Sequence, residues 1–352
     1  LYLHTMRRQA EQLSVAAQGL KFTSFAVGGG TPLILDEGQL EELFCLAELF
    51  GVHPSRVFTS VETSPEYTQK SVLRQLRARG VERLSMGVQS FNETELKKLK
   101  RRPGLGTVVG ALENIVEAGF PQFNLDLIYG IEGQTVESFM RSLNTALTYR
   151  PNELFIYPLY VRPGTRIDVR STDDIGYAIY KSARELLVGQ GFVQTSMRRF
   201  VRRETTETEF SCGDEVMLSC GAGGRSYLGN LHYATPYAVR QQAIADEIDH
   251  YIRTTDFMTA ANGFLLSTEE MQIRFIIKNL MYHRGVDLAE YEKRFGEKPD
   301  RNLFREFTDR GWIEETGRIV RLTEEGMAYS DYIGQAFISP AVRKLMSEYV
   351  YP

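Results

Sequence analysis

Four stretches of this sequence place ligand-binding groups directly behind short apolar runs. The first is Gly28-Gly29-Gly30-Thr31-Pro32, after Phe22–Val27. Three successive glycines remove every Cβ, so the backbone can approach a ligand closely and offer bare N–H and C=O groups. No Lys follows in the GxxxxGK[ST] arrangement, and the GxGxxG spacing is absent, which excludes the phosphate-loop and dinucleotide fingerprints. The second stretch is Val61-Glu62-Thr63-Ser64-Pro65, where Glu62 can accept hydrogen bonds from a ribose or an ammonium group. In the third, Gly87-Val88-Gln89-Ser90-Phe91, the Gln89 amide both donates and accepts and so suits sugar hydroxyls. The fourth holds Asp126 inside Asn124-Leu125-Asp126-Leu127-Ile128-Tyr129-Gly130. A carboxylate in so apolar a run is costly unless it is paired or faces a wet cavity. Arg101, in the polar loop ahead of it, is a candidate cation.

Taken singly, each group has a plain structural role. The glycines could make a tight strand-to-helix turn, Glu62 a helix N-terminal partner, Gln89 a cap and Arg101 a solvated loop residue. Their succession raises them above that level. In parallel βα architectures ligands bind beyond the carboxyl ends of the strands, which is where all of these groups fall.

The elements that must position them follow a βα rhythm. Strand patterns run over Phe22–Val27, Arg56–Val61, Arg83–Val88, Phe123–Ile128 and Glu153–Tyr160. Helical patterns lie near Glu37–Phe50, Gln69–Arg79, Val108–Ala118 and Val136–Tyr149. Gly51, Gly80 and Gly119 stand where a left-handed residue ends a helix. The helical period at the start, with Tyr2, Met6, Ala10, Leu13 and Ala17 in phase, has no cap ahead of Leu1, so the expectation is that a segment with a further strand precedes it. Six βα units then fit either a partial barrel or an open doubly wound sheet, and periodicity alone does not separate them.

After Pro163 the sequence predicts a helix near Asp174–Gly189, an extended stretch over Phe192–Val201, a polar loop and a glycine-rich segment at Ser219–Ser226. From about Leu265 helices dominate: Glu269–Met281, Leu288–Phe295 and Asn302–Arg310. A short hairpin, Trp312–Glu314 with Ile319–Leu322 around Gly317, precedes a helix from Glu324 and gives a winged-helix-like module.

Composition narrows the function class. The 352 residues are 43% hydrophobic and 24% charged, as in an ordinary globular protein with a substantial core. No apolar run approaches the ~20 residues of a membrane span, and nothing at the start resembles a signal peptide. A formal charge of −4 argues against a nucleic-acid footprint over the whole chain. In the tail, Lys278, Arg284, Arg294 and Lys298 are balanced by neighbouring acids, so no nucleic-acid partner is expected. Three scattered cysteines, Cys45, Cys212 and Cys220, make no disulfide framework, and a cytoplasmic location is the default expectation. Cys45, among Leu40, Leu43, Phe44 and Ala47, reads as a buried thiol.

The ordered set of strand-exit motifs resembles a known family. Gly28–Pro32, Val61-Glu62, Arg83–Phe91 and Asn124–Gly130 are similar to the barrel motifs of HemN/HemW-type radical S-adenosylmethionine (SAM) proteins. That family includes oxygen-independent coproporphyrinogen III oxidases and their haem-chaperone relatives. The similarity continues through Gly221-Ala222-Gly223 and into a module ending in Leu322-Thr323-Glu324-Glu325-Gly326. It implies an α/β fold, a partial (β/α)6 TIM-like barrel whose first strand lies ahead of this chain, with a C-terminal helical, winged-helix-like domain. The expected organisation is 1–165 for the barrel, 166–264 for a barrel-closing and connecting α/β region, and 265–352 for the C-terminal domain.

The resemblance implies a set of roles. Gly28, Gly29, Gly30 and Thr31 would bind the methionyl amino end of SAM, and Glu62 would help to fix it. Positions matching Gln89, Arg101, Asp126 and Tyr160 line a second SAM site in the oxidases, although a smaller residue is usual at the Tyr160 position. A [4Fe–4S] cluster would be held by a CxxxCxxC segment expected upstream of Leu1, since such clusters need closely spaced thiolates. Cys212 and Cys220, eight apart, do not replace it. With a reduced cluster, SAM would yield a 5′-deoxyadenosyl radical that abstracts hydrogen from an organic substrate, and a flavodoxin or ferredoxin would donate the electron. If the substrate is a tetrapyrrole, Arg162, Arg166, Arg198 and Arg199 could meet its carboxylates, although a basic surface strand explains the same residues. His232 reads as structural. The alternative on the same scaffold is a haem-binding chaperone.

Overall fold

The computed structural model describes residues 1–101, 104–161, 173–203, 216–235, 238 and 240–349. Arg162, Arg166 and Cys212 lie outside the described residues. In chain order the elements open with α1 (Tyr2–Ala16), β1 (Ser24–Val27), α2 (Glu37–Glu48), β2 (Phe58–Thr63), α3 (Lys70–Ala78) and β3 (Arg83–Gln89). They continue with α4 (Glu93–Lys98), α5 (Leu105–Ala118), β4 (Gln122–Tyr129), α6 (Val136–Thr148), β5 (Glu153–Pro158) and α7 (Asp173–Gly189). Next come β6 (Phe192–Gln194), β7 (Arg199–Arg202), β8 (Val216–Met217), β9 (Arg225–Leu228), β10 (Leu231–Ala234), α8 (Gln241–Arg253) and β11 (Gly263–Leu265). The last group is α9 (Thr268–Leu280), β12 (Val286–Asp287), α10 (Leu288–Phe295), α11 (Asn302–Asp309), β13 (Ile313–Thr316), β14 (Ile319–Leu322), α12 (Glu324–Ala328), α13 (Ser330–Ala336) and α14 (Pro340–Glu348).

Two compact units divide the chain. One comprises Leu1–Ile179 with Glu204–Phe264, the other Tyr180–Arg203 with Leu265–Val350. In the first unit β1 to β5 pair in parallel and in chain order. That order resolves the ambiguity left by periodicity. A doubly wound sheet reverses its strand order at a switch point, whereas right-handed crossovers between strands in unbroken sequence place every helix on one side. The chain therefore winds in the partial-barrel sense.

The two faces of the sheet differ accordingly. Val61, Leu84, Met86, Leu125, Leu127, Leu154 and Ile156 are fully buried on the helix side, where Leu73, Leu76, Leu112, Ile115, Phe139 and Leu143 of α3, α5 and α6 are also buried. Each such side chain contributes about 1.5–3 kcal/mol by leaving water, so a one-residue slip would turn the whole set inward and is strongly disfavoured. The parallel register aligns the alternate residues on the other face. Ser60 and Glu62 sit beside Arg83 and Ser85, which neighbour Gln122 and Asn124, and Asn124 and Asp126 neighbour Glu153 and Phe155. The inner face is polar across β2, β3 and β4, and gives way to the aromatic rings of Phe155 and Tyr157 on β5.

Local signals set the helix limits. Asp36 and Gln39 form a reciprocal capping box at the start of α2, and Thr135 and Ser138 form one at α6. Gly51, Gly80 and Gly119 adopt left-handed conformations after their helices, as read from the sequence. β1 begins at Ser24 rather than Phe22, whose ring packs edge-on against Phe50 at 5.9 Å. β2 starts at Phe58 and runs to Thr63, so Glu62 is the penultimate strand residue instead of the first beyond it. β5 stops at Pro158 and leaves Tyr160 outside the strand.

Residues 216–265, of which only a polar loop and the glycine-rich segment Ser219–Ser226 were read from the sequence, contribute a four-stranded sheet of order β11-β10-β9-β8. Its strands span two to four residues, too short for alternation to show. α1 is tied to this region. The Gln9 side-chain Oε1 accepts from the Gly221 amide at 2.8 Å and from the Tyr251 hydroxyl at 2.6 Å, while the Tyr2 hydroxyl accepts from the Ala222 amide at 2.9 Å.

The second unit has its own core, in which Phe275, Ile276, Leu280, Tyr291, Phe304, Phe307, Ile313, Val320 and Leu322 are buried. The sheet order β12-β14-β13 beside α9, α10 and α11 gives the helices-then-hairpin arrangement expected from the sequence. One expectation is corrected here. Arg198 and Arg199 do not form a basic surface strand. Both are buried, and Arg198 pairs with Asp331.

Candidate functional site

The carboxyl ends of β1 and β2 build one feature together. Glu62 lays its carboxylate against Gly28: a Cβ there would lie 2.7 Å from the carboxyl carbon. The Gly29 amide donates to Glu62 Oε2 at 3.2 Å. A Cβ on Gly29 or Gly30 would meet nothing within 4 Å, so beyond Gly28 the backbone faces open space. Thr31 is extended, and Pro32 begins a short 3-10 turn that ends the segment. The result is an exposed carboxylate beside bare backbone at the strand ends, with room for a ligand carrying a cationic or hydroxyl-bearing end.

At the end of β3 the strand register shifts between Gly87 and Gln89. Gln89 is buried and left-handed, at φ 72°. For a non-glycine residue that conformation costs of order 1–3 kcal/mol and persists only where the surroundings enforce it. Its amide folds back so closely that a Cβ on Gly87 would lie 2.5 Å from Nε2. Gly87 is what admits this side chain.

Asp126 lies deep within the unit on the inner face of β4 and is only partly accessible. Asn124 Nδ2 donates to Asp126 Oδ1 and to Ser85 Oγ, both at 2.7 Å. Burial pushes the Asp126 carboxyl up to about 7, against the hydrogen bond from Asn124 and the field of Arg83, with Glu62 and Glu153 adding to the rise. The cation expected from the sequence is corrected. Asp126 feels Arg83 rather than Arg101, which is exposed and touches no acidic group among the described residues. Arg83 is itself committed, with Nε donating to Glu153 Oε2 at 2.7 Å and Nη1 to Ser60 Oγ at 2.9 Å.

The structure thus brings Gly28, Gly29, Glu62, Gln89 and Asp126 to the inner face and exits of adjacent strands. Tyr160 stands two residues beyond β5, half exposed. Ser60, Arg83, Ser85, Asn124 and Glu153 were not read from the sequence as part of this set. Arg83 and Glu153 each open an apolar strand, and counting alternate residues from Asp126 across the register would have found them. The predicted buried thiol Cys45 is partly accessible, and burial pushes the Cys220 thiol up to about 12. His232 is buried between Tyr227 and Phe264, with ring centroids at 4.6 and 6.0 Å. A groove lined by Phe120, Phe123, Tyr149, Arg150 and Asn152 opens at the amino-terminal ends of β4 and β5. Conserved chemistry in βα folds belongs to the other end of the strands, so this groove is not assigned to the site.

Comparison with known proteins gives the family and supports the fold. The radical SAM superfamily model matches residues 2–146, and the HemN C-terminal domain model matches residues 266–329. The heme chaperone HemW of Bacillus subtilis is 27% identical over 334 residues, covering 89% of this chain and 84% of that protein. The oxygen-independent coproporphyrinogen III oxidase of Escherichia coli is 26% identical over 317 residues, covering 84% and 67%. That of Salmonella typhimurium is 35% identical over 292 residues, covering 76% of this chain and 62% of its own length. The solved structure of the Escherichia coli oxidase HemN superposes with a TM-score of 0.79 at 22% identity, covering 96% of this chain and 82% of that one. With the sheet order, the strand-exit motifs and both family models in agreement, the chain belongs to the HemN/HemW-like family of radical SAM proteins.

Proposed function

We propose that this protein holds SAM at the carboxyl ends of its barrel strands and directs radical chemistry onto an organic substrate, a tetrapyrrole by analogy with what its relatives are named for. The observation that carries the reading is the Gly28–Glu62 contact, where a carboxylate and bare glycine backbone meet beside open space. SAM bound there would supply, after one-electron reduction, a 5′-deoxyadenosyl radical. The chain's own work is orientation and exclusion of water. Glu62 and the Gly29–Gly30 backbone would fix the polar end of the cofactor, with Gln89 and Asp126 offering hydrogen-bonding groups farther round the strand ends. The stacked rings of Phe155 and Tyr157, 5.5 Å apart, give the inner face an apolar wall.

The described residues do not fit a cluster. They contain no group of three potential metal ligands, and Cys45 and Cys220 are the free thiols among them. A [4Fe–4S] cluster and its electron donor, a flavodoxin or ferredoxin, therefore belong to the proposal only through the cysteine segment that the resemblance places ahead of Leu1.

A second reading, a haem-carrying protein, rests on the HemW relative, which is matched over more of its length than the oxidases are. The two readings separate in one experiment. Protein carrying the cysteine segment is incubated anaerobically with SAM, a reductant and deuterated porphyrinogen, and titrated in parallel with haem. Deuterium in the 5′-deoxyadenosine supports the enzyme. A stoichiometric Soret shift with no deuterium transfer supports the carrier.

A further inference from the structure

Glu95 is the most unusual buried acid that the site does not use. It lies on α4, 4% exposed, and no cation contacts it among the described residues. Its carboxyl is instead surrounded by three donors from three segments. Ser90 Oγ donates to Oε2 at 2.6 Å, Gln134 Nε2 to Oε2 at 2.9 Å, and Ser138 Oγ to Oε1 at 2.6 Å. A buried acid would be replaced at little cost by Leu if α4 needed only packing.

The contacts show what it joins. Ser90 directly follows Gln89, and Ser90 Oγ also accepts from the Asn92 amide at 2.9 Å. Gln134 passes the connection on: its Oε1 accepts from the Gly130 amide at 2.8 Å, and its Nε2 donates to the Ile128 carbonyl at 3.3 Å. Ser142 of α6 accepts from the Phe91 amide at 3.1 Å. One carboxyl group therefore ties the exit of β3, which carries the strained Gln89, to the exit of β4 at Ile128 and Gly130, two and four residues beyond Asp126.

We propose that Glu95 is a positioning residue that locks the β3 and β4 exits together and thereby sets the placement of Gln89 and Asp126 for the cofactor. The inference rests on the SAM-binding reading above. Glu95 itself does not reach the ligand groups. It acts through Ser90 and Gln134, holding two strand ends that would otherwise relax independently.

The test uses this chain joined to the cysteine segment of the proposed function, comparing unmodified protein with E95L, E95Q and S138A. SAM affinity is measured by equilibrium titration, and amide exchange is followed at residues 89–92 and 128–134. E95L should raise exchange at both exits together by tenfold or more and weaken SAM binding at least tenfold, with α9–α14 unchanged. E95Q retains an acceptor and can re-form bonds with the serine hydroxyls, so it should stay within about threefold of the unmodified protein. S138A leaves Glu95 in place but removes one of its donors together with the Ser138 half of the α6 capping box, so its diagnostic effect is at the β3 exit: exchange at residues 89–92 should rise by a smaller factor than in E95L, which keeps the test alive if E95L does not fold. Unchanged exchange at either exit, or loosened exits with unchanged affinity, would overturn the proposal. Failure of the unmodified protein to bind SAM would instead reject the functional reading, while the exchange data still decide whether Glu95 couples the exits.

Discussion

At Asp126, burial is opposed by the Asn124 hydrogen bond and the field of Arg83. With its carboxyl pushed up to about 7, the folded protein retains a proton there that the unfolded chain has released. Between about pH 4, the ordinary aspartate range, and pH 7 the folded state binds more protons, so the Asp126 contribution to stability falls as pH rises through that window. Asp126→Asn should flatten this slope and, at pH 8, unfold at a free energy ~2 kcal/mol higher than the unmodified protein, measured by urea titration at both pH values. Gly28 predicts the converse separation of stability from binding. The atoms in the way of a new Cβ belong to the mobile end of Glu62, so Gly28→Ala should change stability by less than about 0.5 kcal/mol. It should nevertheless weaken SAM binding about tenfold by displacing the carboxylate. Of the site residues, Glu62, Gln89 and Asp126 were legible because each interrupts or ends an apolar run. Asn124 was in view as part of the same motif, but its service to Asp126 depends on a strand register that no local pattern reveals.

Strands carry the next level of the design. The outer residues of β3 to β5 are continuously apolar, and that made the βα rhythm readable. The inner residues form a polar ladder whose meaning appears only when four strands are aligned. The Arg83–Glu153 pair at its base joins residues seventy positions apart. Removing one partner leaves a buried charge, so Arg83→Met should cost about 3–5 kcal/mol, while Arg83→Met with Glu153→Leu should recover most of it. A double-mutant cycle in urea checks this, and equal losses for the single and double variants would contradict the pairing. The short strands β8 to β11 escaped the sequence reading for a different reason. Strands of two to four residues, stabilised by pairing and not by an amphipathic face, leave no period to detect.

For the whole molecule, the sheet order decided what periodicity had left open. Parallel strands in unbroken chain order put the helices on one side and leave the other face free to be polar, and the candidate ligand groups collect at the ends of that face. The C-terminal unit was legible from its helices and hairpin, yet Arg198 and Arg199 show the limit of such reading, because burial in that unit reverses their expected exposure. The central claim is that this barrel presents SAM for reductive cleavage. The most direct measurement is anaerobic incubation of the protein, joined to the CxxxCxxC segment that the proposal places ahead of Leu1 and fully loaded with cluster, with SAM and dithionite, followed by quantitation of 5′-deoxyadenosine. Accumulation of 5′-deoxyadenosine, reduced about tenfold by Gly28→Ala, is the predicted result; a fully loaded protein that leaves SAM intact would contradict the account.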